Sequence, residues 1–584
     1  MFLMKTVISA LLKERKEFYP CLSANPTPTF EQMNAVGVYF PEAHKDPEKM
    51  ATLAMAGHKL VGFDAVRIPF CQTIEAEAFG CEVFLPGDNI PVVVSHPYVI
   101  GNVPKFPEDF LQKGRIPVLL EAIKIIKNEL KEVPLIVGIV GPFSITGSLV
   151  GLTNLLMQMA SSPDDIHPYM EIATEGAKRL AKAVEEAGAD IICVEDMAAS
   201  TDIISPMMYK DFVFPYHREL LSSISLPSIL HICGNATPIV EYMTQTGADA
   251  LSIDDKTDLL KIKGLTQGRT ALIGNINPSQ VLLQGDEERV REATRKAIRE
   301  GIDIVAPGCA IPLKAPLSNL KSMVDEAHKA KPTRMERRSL INVYPFKLYG
   351  VVEKEKERIG IAEASPFPEI REAVLKGNKE ECKRATMEAL LRASPEEVME
   401  NGLVKAMEEV GKLWEEGYYF LPQVMLSADA LMEGLKLCEE KMGGKLKRKG
   451  KVVLFVAKGD IHTIGKNIVK ALLSAAGFEV IDLGVDVDDE EVIKAVKLHK
   501  PILLGGSALM TTTMSAFPRI AQKLVDEGIE VPFACGGGAV NEEFCDTFPL
   551  GIYGGEARRA PMIAEAALSG KSWREIRQMF KHSG

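Results

Sequence analysis

Along residues 1–335, short apolar runs rich in β-branched residues alternate with longer stretches whose apolar positions recur at helical spacing. The runs are Pro20–Asn25, Asp64–Pro69, Leu135–Pro142, Asp190–Asp196, Ser228–Gly234, Ala248–Asp254, Ala271–Asn277 and Ile302–Pro307. Eight such runs, each followed by a helical stretch, predict parallel strands with crossover helices and a closed (β/α)8 TIM barrel. Ala187-Gly-Ala-Asp190 and Thr246-Gly-Ala-Asp249 are helix stops that lead into strands, with glycine as the left-handed cap.

The pattern then changes. Lys331–Phe367 carries a basic cluster and a Glu/Lys run, with Pro366 and Pro368 at its end, and reads as a linker. From Glu369 to about Gly443 the pattern is helical throughout, with Leu391, Val398, Leu403, Met407 and Val410 near helical spacing and Ser394-Pro-Glu-Glu397 as a start signal. This predicts a small bundle of about four helices. After a basic hinge at Lys445–Lys451, alternation returns in five strand-like runs: Val452–Ala457, Phe478–Leu483, Pro501–Gly505, Val531–Ala534 and Gly551–Tyr553. They predict an α/β doubly wound sheet of flavodoxin type, which binds ligands beyond the carboxyl ends of its strands. The expected domains are residues 1–335, a linker at 336–368, a helical cap at 369–445 and a nucleotide-fold domain at 446–584.

Composition narrows the function. The chain has 584 residues with 68 Lys and Arg against 79 Asp and Glu, a formal charge of −11 that disfavours a nucleic-acid partner. Its apolar runs fall far short of the ~20 residues of a membrane helix. Lys5, Lys13, Glu14 and Arg15 interrupt the apolar start, so no signal peptide is expected. Ten cysteines without a dense framework suit a reducing cytoplasm.

Two strand ends carry candidate chemistry in the barrel. His231 and Cys233 lie two residues apart at the end of the fifth run and so share a face, while Cys309 follows the eighth run. A closed barrel brings these ends to one mouth, where one imidazole and two thiolates suit zinc with a vacant fourth position. Glu195 and Asp196 also end a strand, where each suits a transient fourth ligand, a substrate contact or a helix cap. Gly141–Ser148 lacks the lysine of a phosphate-binding loop.

In the second sheet, Gly459-Asp460-Ile-His462-Thr-Ile-Gly465 follows the first strand. A histidine there can use one ring nitrogen as a ligand while the other donates to Asp460, and Gly465 allows close backbone approach. Ser507-Ala-Leu-Met-Thr-Thr-Thr513, Cys535-Gly-Gly-Gly538 and Tyr553-Gly-Gly-Glu556 stand at or just beyond later strand ends.

On these motifs, residues 369–584 resemble the cobalamin-binding domain of methionine synthase and the corrinoid proteins of methanogens and acetogens. The resemblance implies a corrinoid whose cobalt takes His462 as lower ligand, with Asp460 and Thr513 as the hydrogen-bonded relay behind it. It implies that Ser507, Leu509 and Thr511 hold the displaced nucleotide tail. Gly536, Gly537, Gly538, Gly554 and Gly555 would let that tail pass the sheet. Phe420, in Tyr419-Phe-Leu-Pro-Gln-Val424, matches the cap over the upper corrin face.

Residues 1–335 resemble the methyltransferase branch of the uroporphyrinogen decarboxylase superfamily, the methylcobamide:coenzyme M methyltransferases. The resemblance rests on Gly62-Phe-Asp64, Arg67-Ile-Pro-Phe70, Gly141-Pro-Phe-Ser144, Val194-Glu-Asp196, Ser205-Pro206, His231-Ile-Cys-Gly-Asn235 and Pro307-Gly-Cys309. It implies zinc on His231, Cys233 and Cys309, activating a thiol, and argues against porphyrin decarboxylation. The fused order is similar to chloromethane-type methyltransferases. The expected function is methyl transfer between corrinoid cobalt and a zinc-activated thiol such as coenzyme M, in either direction. The rivals are demethylation of a methoxylated aromatic or methylamine, and a non-catalytic corrinoid carrier. Expected partners are a small methyl donor, a thiol or folate acceptor, a separate methyltransferase subunit and a corrinoid reductive activase. Because Phe420 must shield the methyl group that the zinc-bound nucleophile must reach, capped and transfer-competent arrangements are expected, with Lys331–Phe367 permitting the change.

Overall fold

The eight apolar runs of the first half form the wall of a closed parallel barrel in the computed structural model. The structure describes residues 2–13, 18–26, 28–266, 270–331, 365–442, 449–460, 464–508, 513–538, 540–555, 557 and 559–581. It divides into two units, Met1–Arg338 and Ser339–Gly584. Most of the expected linker, and His462, Leu509 and Thr511, lie outside the described residues.

In the first unit the strands β1 (Val66–Ile68), β4 (Leu135–Val140), β5 (Ile191–Glu195), β6 (Ser228–Ile232), β7 (Ala250–Ile253), β8 (Ala271–Ile276) and β9 (Ile304–Pro307) pair in that order, all parallel. β4, β5, β6 and β7 are buried along their whole length, as strands covered on both faces should be. The first run closes the ring through a single bridge, Cys21 opposite Val305, while the Cys21 carbonyl accepts the Asp64 N–H at 2.8 Å on its other side. A short antiparallel hairpin, β2 (Val83–Phe84) with β3 (Val92–Val93), is an addition that the alternation of runs did not announce.

The repeated Gly-Ala-Asp has a double function. Gly188 and Gly247 take φ of +111° and +96°, a left-handed conformation that ends a helix and that residues with a Cβ rarely adopt. The aspartate two residues on accepts the first N–H of a neighbouring strand. Asp190 takes that of Leu135 at 2.8 Å, and Asp249 takes that of Ser228 at 2.8 Å. These donors at the bottom of the barrel would otherwise lack partners. The helix Phe2–Leu11 covers the same end, with Val7, Ala10 and Leu11 buried against Ile136, Ile191, Ile229 and Ile304.

The second unit holds the helices Pro368–Leu375, Lys379–Ala389, Lys405–Glu415 and Leu421–Lys441, with the Ser394 hydroxyl accepting the Glu397 N–H at 3.2 Å to start the turn between the second and third. Its sheet runs β11 (Glu479–Asp482), β10 (Lys451–Val456), β12 (Leu503–Ser507), β13 (Phe533–Gly536) and β14 (Gly551–Tyr553), all parallel. This 2-1-3-4-5 order places the topological switch between β10 and β12. β12 and β13 each begin and end two residues later than the apolar runs suggest, since Pro501 and Pro532 have no N–H to give a ladder. Among the described residues no helix is long and apolar enough to cross a membrane.

Candidate functional site

His231 stands near the carboxyl end of β6, two residues before Cys233, and Cys309 follows β9 after Gly308. Their ligand atoms all lie within 4.8 Å of one another. His231 Nε2 is 3.1 Å from Cys233 Sγ, and Cys233 Sγ is 3.1 Å from Cys309 Sγ, both thiols being free. The other imidazole nitrogen, Nδ1, sits 3.2 Å from the Ser252 carbonyl and 3.0 Å from its hydroxyl. A proton on Nδ1 donated to that carbonyl leaves the Nε2 lone pair pointing at the sulfurs, as a metal-ligating histidine requires. Ser252 is the β7 register partner of His231 and Glu195 its β5 partner, so the three side chains leave the wall on one face.

The electrostatics match a ligand cluster. The hydrogen bond from Cys233, against burial and with help from His231, brings the Cys309 thiol down to about 6. The same bond and burial push Cys233 well above its ordinary value. Burial alone would lower the His231 imidazole, but Cys309, Glu195 and Asp254 outweigh it and raise it. One nitrogen and two sulfurs converging at a barrel mouth, with the histidine's tautomer held from behind, is a donor set that fits zinc.

Glu195 and Asp196 have separate employment. Glu195 is 1% exposed and forms an ion pair with Arg67, while its second oxygen accepts from Gln72 Nε2 at 2.7 Å. Arg67 also gives Nε to the Ala24 carbonyl and Nη1 to the Pro69 carbonyl, both at 2.7 Å. Gly138 makes room for it: a Cβ there would lie 2.0 Å from Arg67 Nη2. Asp196 caps the helix Pro142–Val150, accepting the N–H groups of Phe143 at 3.0 Å and Ser144 at 2.8 Å, and meets His217 Nε2 at 2.9 Å. A carboxylate of the chain itself therefore occupies the helix N-terminus that a phosphate loop would offer. The apolar pattern did not announce the roles of Ser252, Arg67 and Gln72. An arginine inside a buried strand and a serine in register with a ligand were the available signals.

A second buried carboxylate, Glu75, lies in the helix Ile74–Ala78 and accepts the Val140 N–H at 2.7 Å. Burial, aided by Cys71 and Glu195, pushes it up to about 7 from the ordinary 4.5. The folded chain therefore binds more protons than the unfolded chain between those values. The stability this group contributes is full below pH 4.5 and is lost as pH rises through about 7. Glu75→Gln keeps an acceptor for Val140 and should gain about 3 kcal/mol over the wild type at pH 8, with no gain at pH 4. Urea unfolding at the two pH values measures the difference.

In the second unit Asp460, fully buried, accepts from the Thr513 hydroxyl at 2.9 Å across 53 residues. Ser507 ends β12 beside Gly536 of β13. A Cβ on Gly536 or Gly465 would meet no atom of the described residues within 4 Å. At Gly537, with φ of +106°, a Cβ would lie 2.2 Å from the Ala508 carbonyl oxygen, and no side chain fits. Gly554 gives its N–H to the Cys535 carbonyl at 2.8 Å, and Gly555 has φ of +58°. Phe420 is half-buried at the start of its helix, its N–H donating to Gln423 Oε1 at 3.1 Å. A glycine edge beside a buried Asp–Thr pair at the switch point fits a corrinoid whose tail passes the sheet end.

Comparison with known proteins agrees with this division. The uroporphyrinogen decarboxylase (URO-D) family model matches residues 3–330, and B12 binding domain models match residues 367–439 and 450–561. The barrel half is 36% identical over 328 residues to "Methylcobamide:CoM methyltransferase MtaA" of Methanosarcina barkeri, spanning 55% of this chain and 97% of that protein. The second half is 48% identical over 216 residues to a "Methanol--corrinoid protein" of Methanosarcina barkeri, spanning 36% of this chain and 84% of that one. A solved "methyltransferase from Methanosarcina mazei" superposes with a TM-score of 0.55 at 37% identity, covering 56% of this chain and 98% of that structure. The chain belongs to the uroporphyrinogen decarboxylase (URO-D) family, with B12 binding domains fused behind the barrel.

Proposed function

We propose that this chain is a corrinoid-dependent methyltransferase in which the barrel handles a thiol and the second unit carries the methyl group on cobalt. The observation that carries the reading is the convergence of His231, Cys233 and Cys309 at a barrel mouth, in a chain that also holds the Asp460–Thr513 pair at its second sheet. When bound, zinc supplies a Lewis acid that makes a substrate thiol a thiolate at neutral pH, and the corrinoid supplies a cobalt that takes or gives methyl. In this reading residues 1–335 are the zinc barrel, 369–445 the cap and 446–584 the cobalamin domain.

The chain's own residues set the conditions. His231 would offer Nε2 to the metal because Ser252 holds Nδ1, and Cys233 and Cys309 would offer sulfur, a three-donor set that would leave zinc open to a substrate thiol. Arg67 and Gln72 hold Glu195 beside His231, so that its charge stays compensated inside the barrel. The Thr513 hydroxyl donates a hydrogen bond to Asp460, whose carboxylate would in turn orient His462 as the cobalt ligand. Phe420 would cover the methyl-bearing face when the corrinoid is bound.

The acceptor is tested by loading the protein with methylcobalamin and zinc without oxygen and offering coenzyme M, other small thiols and tetrahydrofolate. The absorbance of the corrinoid reports demethylation. Rapid loss of methyl to a thiol is expected. Loss to tetrahydrofolate alone would reassign the barrel, and no loss to any acceptor would leave the chain a carrier.

A further inference from the structure

The loop that leads from β10 to His462 is gripped from a neighbouring strand by one residue, Asp486, which lies after β11 in Gly484-Val-Asp-Val487. Its backbone has φ of +54°, the left-handed region where a residue with a side chain is strained. In that conformation both of its polar ends meet the β10 loop. Asp486 Oδ1 accepts the Gly459 N–H at 2.8 Å, and the Asp486 N–H donates to the Asp460 carbonyl at 3.0 Å. Lys458 Nζ stands 3.5 Å from Asp486 Oδ2 and 3.4 Å from Asp488 Oδ2, and the next residue, Val487, bridges to Ala457. Residues 457–460 are thus pinned at each position by the 486–488 segment.

Glycine would take this φ without cost but would have no acceptor for Gly459. Aspartate, which enters this region more readily than most residues, supplies that acceptor. What it holds still is the backbone of Asp460, whose buried side chain already accepts from Thr513. We propose that Asp486 is a positioning residue for the corrinoid site: it fixes the Gly459–Asp460 backbone so that Asp460 presents its carboxylate to the cobalt ligand two residues on. This rests on His462 being that ligand.

The test titrates cobalamin into zinc-loaded apoprotein of the full chain, and compares Asp486→Gly, Asp486→Asn and His462→Ala by affinity and by the cobalt absorbance spectrum across pH. Asp486→Gly relieves the backbone, so its apoprotein should unfold at an unchanged or higher temperature. Its cobalamin Kd should nevertheless rise about tenfold, the lower end of what loss of an outer-shell partner costs. The pH below which the histidine leaves cobalt should also rise, because protons compete better for a loosely held imidazole. Asp486→Asn keeps an acceptor and tolerates the left-handed region, so it should return both readouts close to the wild type. A wild-type Kd and spectrum in Asp486→Gly, with both altered in His462→Ala, would overturn the proposal alone. An unaltered His462→Ala would overturn the ligand assignment and the proposal with it.

Discussion

Chelator-washed Cys309→Ser protein should retain no zinc and lose thiol-dependent methyl transfer, while folding as the wild type does. The loss should exceed the 10–100-fold that follows removal of a metal's outer-shell partner, since a ligand itself is gone. Folding should survive because Cys309 stands on the loop after β9, at the face of the barrel where sites are built and not in the packed layers beneath. Serine replaces one sulfur by one oxygen, so no cavity confuses the result. His231→Ala should also lose zinc, but with some loss of stability, because His231 is fully buried between Glu195 and Ser252. Zinc content by elemental analysis, set beside the unfolding midpoint, separates ligand loss from fold loss. Zinc retained at one ion per chain in Cys309→Ser would contradict the ligand assignment.

The largest effect on stability is expected at Arg67. Arg67→Met preserves most of the volume but leaves the Glu195 carboxylate, 1% exposed, with Gln72 as its remaining partner. Removing one member of a buried ion pair costs about 3–5 kcal/mol, because the other charge is stranded. The double variant Arg67→Met/Glu195→Gln should recover most of that loss, since no charge then remains buried, and the cycle measures the coupling directly. Gly138→Ala should reproduce part of the Arg67 phenotype without touching either charge, by putting a methyl group where the guanidinium lies. A loss below about 1 kcal/mol in Arg67→Met would contradict the dependence of buried Glu195 on Arg67.

Both folds are legible in the sequence for one reason: parallel strands covered on both faces must be written as unbroken apolar runs, and their crossover helices as 3.6-residue periods. The runs are least legible where pairing is shortest. Cys21 makes one bridge, and a single bridge leaves little pattern to read. The cluster of His231, Cys233 and Cys309 was legible because strand spacing and barrel closure together force their convergence. The polar network around them was not. Arg67 reaches Glu195 across 128 positions, and its path depends on the absence of a side chain at Gly138, a three-dimensional coincidence that no local spacing encodes. Asp196 could be read as ligand or cap from its strand-end position alone. Only the approach of the Phe143 and Ser144 N–H groups decides for the cap. Asp486 carries no sequence signal of strain, since aspartate is ordinary in loops and its φ is fixed by what the turn must meet.

The most direct measurement is a single turnover of the methylcobalamin-loaded chain with excess thiol, recorded at the corrinoid absorbance before and after zinc is stripped and restored. The account predicts rapid demethylation with zinc, little without it, recovery on adding zinc back, and no recovery in Cys309→Ser. An equal rate in zinc-free protein would contradict it, because the thiol would then reach cobalt without the three donors at the barrel mouth.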